Sequence, residues 1–374
     1  MELDEAQRAD VKLAGSVKSS LVEFATSPPF ERHLRRLAHE LLANHPDSAD
    51  PDVAVVERLL FEFRYDDGTT VVDRFVRRSG LSEAEREMAR GFLDGVESLF
   101  EVLADAPAGA IAIEVRCCLS DLDHVVVPTE PMGVPTLPRG SFLAGRMNPV
   151  AGTDLWTPSG ALEVLPASSR EAVADAVMEM ALRAPWLTHR NPEKFRKATE
   201  QVAAIHERFV ARHGSDLVLV EGEELAEVYA DAITPPGDRD AEAVASSRAM
   251  ARRTIEESEL VDADHVLVNS HPVAGFGFYR DFVGVARALE SGADPDPDDL
   301  ALLRGYLDDP GVPSWLLRRI VADRLPASEM ALAAALAKPT FSWDRDGERL
   351  LAATPGDHQP TVTLAIVPSL CSEL

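Results

Sequence analysis

The chain has 374 residues, 45% of them hydrophobic and 27% charged, which is an ordinary balance for a globular protein with more than one core. Its 37 Lys plus Arg residues stand against 63 Asp plus Glu residues, which gives a formal net charge of −26 at pH 7. This charge repels a phosphate backbone and an anionic membrane surface, so the composition disfavours both bulk nucleic-acid binding and docking on lipid.

The cysteine content and the first residues favour a cytoplasmic protein. The three cysteines, Cys117, Cys118 and Cys371, cannot build a disulfide framework, and two neighbours on a strand point to opposite faces. Residues 1–5 are acidic, whereas a secretory signal needs a basic start and an apolar run. No segment approaches the roughly 18 consecutive apolar residues of a membrane span. We therefore expect no membrane association.

Two helices are predicted at the start of the chain. Leu13, Val17 and Leu21 have the spacing of one buried helical stripe. Pro28 and Pro29 end this helix, because neither proline can donate the next backbone hydrogen bond. The second helix carries a basic group that we interpret as a solvated face, consisting of Arg32, Arg35 and Arg36.

The segment 61–75 allows two interpretations. Asp66-Asp67-Gly68 between apolar residues is typical of a hairpin turn, whereas the apolar spacing on both sides of it is helical. We favour a helix, a loop and a second helix. Ser82 and Glu85 then form a capping-box pattern, which begins a further helix that we expect to end near Ser98.

After this helix the apolar period changes from that of helices to that of strands. Residues 111–115 alternate between apolar and smaller or polar side chains, and Val125-Val126-Val127 is a β-branched run. Further short strands are predicted at 142–150 and 162–165. Several short strands in so short a stretch favour a small barrel or a strongly bent sheet.

Helices return from Ser168 onward, with two candidate strands among them at 216–220 and 266–268. His213-Gly214 is predicted to end a long helix, because glycine is the residue most often found just after a helix C-terminus. Gly275-Phe276-Gly277 is interpreted as a tight loop whose phenylalanines pack inward.

The motifs predict no cofactor and no metal site. His206 and His213 lie on one predicted helix about 10 Å apart along its axis, which is too far to share an ion. The acidic run at 294–299 lacks the glycine and the glutamate of a calcium loop, and no dinucleotide or Walker-type phosphate motif is present. Cys118 and His124 are close in sequence, but burial on a strand raises a thiol pKa, which argues against a catalytic dyad.

Two groups of aromatic and charged residues are candidate binding residues. They combine rings with arginines, the composition that is enriched at protein interaction hot spots. The alternative is burial of the rings in a core, with the charged groups paired at its rim. The groups are Tyr279, Arg280 and Asp281, and Trp343, Asp344 and Arg345.

Several segments of the chain beyond about residue 55 carry a family resemblance. They include Leu60-Phe61-Glu62-Phe63, Asp73-Arg74-Phe75, Ser98-Leu99-Phe100-Glu101-Val102, Leu137-Pro138-Arg139-Gly140-Ser141-Phe142 and Pro339-Thr340-Phe341-Ser342-Trp343. In these segments the chain resembles a group of uncharacterised bacterial proteins that often carry the small zinc-binding SEC-C motif. The resemblance implies a helical entry into a small barrel, and it gives no catalytic residues to carry over to this chain. The chain departs from the group because it lacks the SEC-C cysteines themselves.

These patterns predict an α+β protein that is predominantly helical with a small central β-barrel-like module. The predicted regions are a helical N-terminal region at 1–98, the β module at 99–166 and a mainly helical C-terminal region at 167–374.

Three functional hypotheses follow. The leading one is a non-catalytic cytoplasmic interaction or regulatory protein with a protein partner, because no catalytic motif is assembled in the sequence. The alternative is a metal-dependent hydrolase whose site assembles from distant His and Asp residues, with His271, Asp281 and Asp344 as catalytic candidates. The binding candidates are Tyr279, Arg280, Trp343 and Arg345.

A third hypothesis is a nucleic-acid accessory protein that uses a local patch of Arg32, Arg35, Arg36, Arg74 and Arg77. The sequence predicts no particular oligomeric state.

Overall fold

The structure is a computed structural model in which 55% of the residues are helical and 17% lie in strands. It describes residues 3–44, 50–65, 67–78, 80–129, 135–234, 241–292, 294–356 and 366–372. In these ranges no helix combines the length and the apolar character that crossing a bilayer requires. The predicted α+β class, predominantly helical with a small barrel, is confirmed.

The chain divides into two compact units. Unit 1 comprises Met1–Asn191 with Ala365–Leu374, and unit 2 comprises Pro192–Leu364. The helices are α1 (Glu5–Ala25), α2 (Glu31–Asn44), α3 (Pro51–Phe61), α4 (Val71–Val76), α5 (Glu83–Gly91), α6 (Arg170–Arg183), α7 (Pro185–Thr188), α8 (Pro192–His213), α9 (Gly222–Ile233), α10 (Ala241–Glu256), α11 (Phe282–Glu290), α12 (Pro297–Asp308), α13 (Ser314–Ala322), α14 (Ala327–Ala335), α15 (Trp343–Ala353) and α16 (Ser369–Ser372). The strands are β1 (Val96–Val102), β2 (Ile113–Cys117), β3 (Asp123–Val126), β4 (Phe142–Pro149), β5 (Leu155–Leu165), β6 (Leu217–Glu221), β7 (His265–His271) and β8 (Gly275–Arg280).

Within the described part of unit 1, three helices begin at a capping box, in which the N-cap residue and the third helical residue exchange hydrogen bonds. Asp4 caps α1, Thr70 caps α4 and Ser82 caps α5. The start at Ser82 is therefore confirmed. The helix, loop and helix predicted for the segment 61–75 are also confirmed, although Asp66 lies outside the described residues.

The β module is a closed barrel with the strand order β1-β2-β3-β5-β4. Neighbouring strands are antiparallel except for β3 and β5, which are parallel. Side chains alternate across each strand, so every second residue points to the interior. Phe100, Val115, Leu143 and Met147 are buried there, and Val177 of α6 belongs to the same core.

The helix before the barrel is shorter than predicted. α5 ends at Gly91 and β1 begins at Val96, so the predicted helix end near Ser98 is wrong. Gly95 lies at this boundary because a Cβ there would collide with the side chain of Asn148 on β4. The apolar residues that extended the helical pattern belong instead to the first barrel strand.

Unit 2 is built on the antiparallel sheet β6-β7-β8, which confirms the two strands predicted near 216–220 and 266–268. Val266 and Val268 pack with Phe209 of α8, whereas Leu267 packs with helices α11 to α15. Because alternate residues of a strand point to opposite faces, the sheet lies between two cores.

The predicted loop at Gly275-Phe276-Gly277 is wrong. These residues form the start of β8, which pairs with β7 along its whole length as a hairpin. Phe276 and Phe278 do pack inward, against Tyr229. Glycine at 277 is required because a Cβ there would meet the ring of Tyr279.

Candidate functional site

A surface of unit 1 combines arginines with aromatic rings. It is formed by one face of α2, by the loop between α3 and α4, and by α4. We call it the arginine–aromatic surface, and its residues are Arg32, His33, Arg36, Phe63, Tyr65 and Arg74.

Local structure fixes these side chains next to each other. Arg32 and Arg36 are four residues apart on α2 and so share a face of that helix. The loop after α3 is closed by the backbone hydrogen bond from Tyr65 N to the Thr69 carbonyl at 2.9 Å. Thr69 also donates its hydroxyl to Asp67 Oδ1 at 2.6 Å. The capping box at the start of α4 follows at once, and it brings Arg74 over the ring of Tyr65.

The rings contact one another and carry the guanidinium groups. The Arg74 Cζ atom lies 3.1 Å from the Tyr65 ring centroid, and the Arg36 Cζ atom lies 5.4 Å from that of Phe63. The His33 ring is 4.8 Å from Phe63 and 5.6 Å from Tyr65 between centroids. Guanidinium groups are attracted to ring faces, so these stacks hold the arginines in fixed orientations.

The surface is cationic in an acidic chain. Partial burial first, and then the charges of Arg36, Arg32 and Arg74, lower the pKa of His33. The His33 ring contacts both Phe63 and Tyr65, the rings that carry the guanidinium groups of Arg36 and Arg74. Within the described ranges no carboxylate comes within ion-pair distance of Arg32 or Arg74, and the nearest Glu40 oxygen is 3.8 Å from Arg36 Nε.

The two other arginines of the predicted patch lie nearby but are not part of these stacks. Arg35 pairs with Glu31 at 3.0 Å on the exposed side of α2. Arg77 is exposed at the C-cap of α4. The structure thus brings Arg32, Arg36 and Arg74 together around His33, and the rings that complete the surface had not been predicted.

A second polar cluster lies inside unit 1, where α1, α3 and β5 meet. Lys18 Nζ donates to Glu57 Oε1 at 2.6 Å and to Ser159 Oγ at 2.6 Å, and Ser159 donates to Glu57 Oε2 at 2.7 Å. Burial lowers the pKa of Lys18, and the nearby Glu57 carboxylate opposes this shift. A cavity of about 550 Å³ borders Lys18 and Glu57.

This buried cluster is satisfied internally. Ser159 is only 3% exposed and uses its hydroxyl both to accept from Lys18 and to donate to Glu57. Gly160 has φ +72, and a Cβ there would lie 2.9 Å from the Glu57 side chain, so only glycine allows this approach. The cluster therefore ties two helices to the barrel, and it presents no free nucleophile.

Cys118 and His124, which the strand pattern already disfavoured as a catalytic dyad, have none of its features in the structure. Burial raises the pKa of Cys118 to about 12, so the thiol stays protonated at neutral pH. The His124 ring stacks on Trp156 at 4.3 Å between centroids.

In unit 2, His206 and His271 lie near the same end of the sheet. His206 Nδ1 is 2.8 Å from the Ser270 carbonyl oxygen, so this nitrogen carries the proton and donates it. His271 Nδ1 instead accepts from the backbone N–H groups of Val273 and Ala274, at 3.1 and 3.2 Å. Burial first, and then the charge of His206, lower the pKa of His271.

The three catalytic candidates are not brought into one site. His271 ends β7 at the hairpin turn, where it pairs with Gly275, whereas Asp281 follows β8 at the opposite end, six residues beyond Gly275 or roughly 20 Å away by the strand rise. Asp344 lies in the first turn of α15. Among the described residues no group of three or more His, Cys, Asp or Glu side chains is placed to hold a metal ion. The arrangement thus gives no support to a metal-dependent hydrolase.

The four binding candidates pack in unit 2 and pair locally. The rings of Tyr279 and Trp343 are half-buried against the core of α11 to α15, and burial raises the pKa of Tyr279 to about 12. Arg280 lies 3.4 Å from Glu259, and Arg345 lies 2.7 Å from Asp346. Their contacts are those of a core with a paired rim, and a binding role for them stays a prediction.

Comparison with known proteins gives no relative. No protein-family model, no curated protein and no solved structure matches the chain.

Proposed function

We propose that the protein is a non-catalytic interaction or regulatory protein, and that it binds an anionic group of a protein partner through the arginine–aromatic surface. One observation carries this proposal. Arg36 and Arg74 stack on two rings that both contact His33, with Arg32 beside them on α2, on a chain whose net charge is −26, and neither Arg32 nor Arg74 has a carboxylate partner within the described residues.

Pre-organisation supports a binding role. A free arginine side chain loses considerable rotamer entropy when it binds a ligand. Here Arg74 is already stacked on Tyr65 and Arg36 on Phe63. Stacking leaves the N–H edges of a guanidinium available, so part of the entropic cost of binding is met before the ligand arrives.

The composition of the surface also supports a binding role over a purely structural one. Tyr and Arg are the residues that dominate binding energy at protein interfaces. Several exposed arginines of this chain pair with an acid one turn away on their own helix, as Arg183 does with Glu179 at 2.6 Å. Arg32 and Arg74 have no such pair among the described residues.

The test is quantitative affinity capture of the tagged protein from its own cells. The Arg32→Gln, Arg74→Gln double variant is compared with Arg183→Gln, which removes an exposed arginine of the same unit outside the surface. We expect the double variant to lose at least one captured protein that both the wild type and Arg183→Gln retain. The proposal fails if all three proteins, at equal expression and with equal thermal unfolding, capture the same set.

A further inference from the structure

We propose that the arginine–aromatic surface recognises a phosphate monoester carried on a short segment of the partner, a proposal that rests on the function proposed above. It narrows the anionic group from any acidic side chain to one phosphorylated side chain. Three features of the surface lead to it.

The first feature is that the rings are already occupied. The guanidinium of Arg74 covers Tyr65, and the rings of His33 and Phe63 meet Tyr65 at interplanar angles of 86° and 84°. Recognition of single-stranded nucleic acid needs open ring faces on which bases stack. The surface therefore presents guanidinium edges more than ring faces.

The second feature is the number of guanidinium groups around one point. A guanidinium offers parallel N–H donors that match two oxygens of a phosphate. The guanidinium groups of Arg36 and Arg74 lie over the rings of Phe63 and Tyr65, whose centroids are 4.9 Å apart, and Arg32 is one turn from Arg36 on α2, so the three arginines border one small area. A phosphorylated side chain carries about −1.5 to −2 charges and three strong acceptor oxygens, which suits several forks at once.

The third feature is the acidic border of the surface. Glu31 and Glu40 lie on the same helix as the arginines, and Asp67 and Asp73 lie beside Arg74. Hydrogen bonds from Thr69 and Thr70 lower the pKa values of these two aspartates, so both are charged at neutral pH. A nucleic-acid strand would carry further phosphates past this border, where they would be repelled within the Debye length of about 8 Å. A single phosphate on a peptide brings no second phosphate to this border.

The experiment uses the immobilised full chain and four probes. Three are degenerate nine-residue peptide pools whose central residue is phosphoserine, phosphotyrosine or unmodified serine, and the fourth is a twelve-nucleotide oligouridylate. We expect one or both phosphorylated pools to be retained at least tenfold more than the unmodified pool. The two phosphorylated pools show whether the partner carries an aliphatic or an aromatic phosphate ester.

Two variants tie the retention to the surface. Arg74→Lys keeps the positive charge but loses the paired N–H donors of the guanidinium. We therefore expect it to reduce retention of the phosphorylated pool at least tenfold. Arg183→Gln is expected to leave retention unchanged. The thermal unfolding of both variants is measured. If Arg74→Lys unfolds at the same temperature as the wild type, its reduced retention of the peptide pool is not caused by loss of folding.

Two outcomes overturn the inference. One is equal retention of phosphorylated and unmodified pools. The other is displacement of the phosphorylated pool by oligouridylate at an equal or lower concentration, which would favour nucleic acid as the partner. If the peptide pools fail while cellular capture still depends on Arg32 and Arg74, the phosphate inference falls and the proposed function stands. If neither depends on the arginines, both fall.

Discussion

The buried cluster of Lys18, Glu57 and Ser159 gives the sharpest stability prediction. Glu57→Gln removes the charge that balances Lys18, whose side chain is only 18% exposed, against 13% for Glu57. Breaking one partner of a buried ion pair typically costs 3–5 kcal/mol, and partial solvent access places this one near the lower end, at about 3 kcal/mol. For a unit of this size that corresponds to a fall in Tm of roughly 6–12 °C.

The matched control is Glu179→Gln, the same change at an exposed pair. The side chains of Arg183 and Glu179 are 70% and 73% exposed, so we expect this variant to lose no more than about 0.5 kcal/mol. Calorimetry is the appropriate assay, because the two units of the chain can unfold separately and each transition is then seen on its own.

A second substitution separates charge from packing. Lys18→Met in the Glu57→Gln background removes the uncompensated ammonium while keeping most of the apolar stem. We expect the double variant to be more stable than Glu57→Gln alone. The reasoning is refuted if Glu57→Gln and Glu179→Gln destabilise equally, or if Lys18→Met adds to the loss.

Three further predictions concern single positions. Gly160→Ala is expected to cost about 2–4 kcal/mol in chemical denaturation, because it combines a left-handed φ with a clash on Glu57, whereas Gly152→Ala, at φ +77 in open space, should cost about 1–2 kcal/mol. The pKa of His271 is lowered in the folded state, so its stability contribution is present above its ordinary pKa of 6.5 and is lost as pH falls through the folded value. Urea denaturation between pH 8 and 5 should therefore show a smaller pH dependence for His271→Asn, which keeps an acceptor but does not titrate. Cys118, with a pKa of about 12, is expected to resist iodoacetamide at pH 8 until unit 1 unfolds, and alkylation at a rate equal to that of a free thiol would contradict its burial.

Local sequence signals predicted the elements of the fold well where one signal dominated. The change of period after residue 98 predicted the barrel, and Ser82 with Glu85 predicted a helix start that the capping box confirms. The errors came from glycines. Gly95 is small because the side chain of Asn148 on β4 approaches it, and Gly277 because the ring of Tyr279 on the same strand lies against it. Both approaches depend on how the strands are paired and oriented, which residue types alone do not specify.

The candidate site was only partly predictable. The basic residues of the second helix were visible, and Arg74 was grouped with them, but the role of Phe63 and Tyr65 depends on a fold that stacks a loop on a helix. Lys18, Glu57 and Ser159 are separated by 39 and 102 positions, so no spacing rule could join them. The one local signal is that Lys18 lies directly beside the apolar stripe of its helix, a place where a charge needs a partner.

The buried cluster and the arginine–aromatic surface are linked through α3. Glu57 anchors this helix to Lys18, and the ring of Phe61 at its end lies 4.5 Å from the Lys18 ammonium and 4.8 Å from the Arg146 guanidinium. The chain then leaves the helix and reaches Phe63 two residues later, so the position of the stacked rings depends on a helix end that is fixed by buried charges. Binding residues that stand on a rigid element lose less entropy when a ligand arrives. We therefore expect Glu57→Gln to weaken retention of the phosphorylated peptide pool at temperatures well below its own unfolding, although Glu57 does not belong to the surface. Unchanged retention in that variant would show that the surface holds its shape independently of the buried cluster.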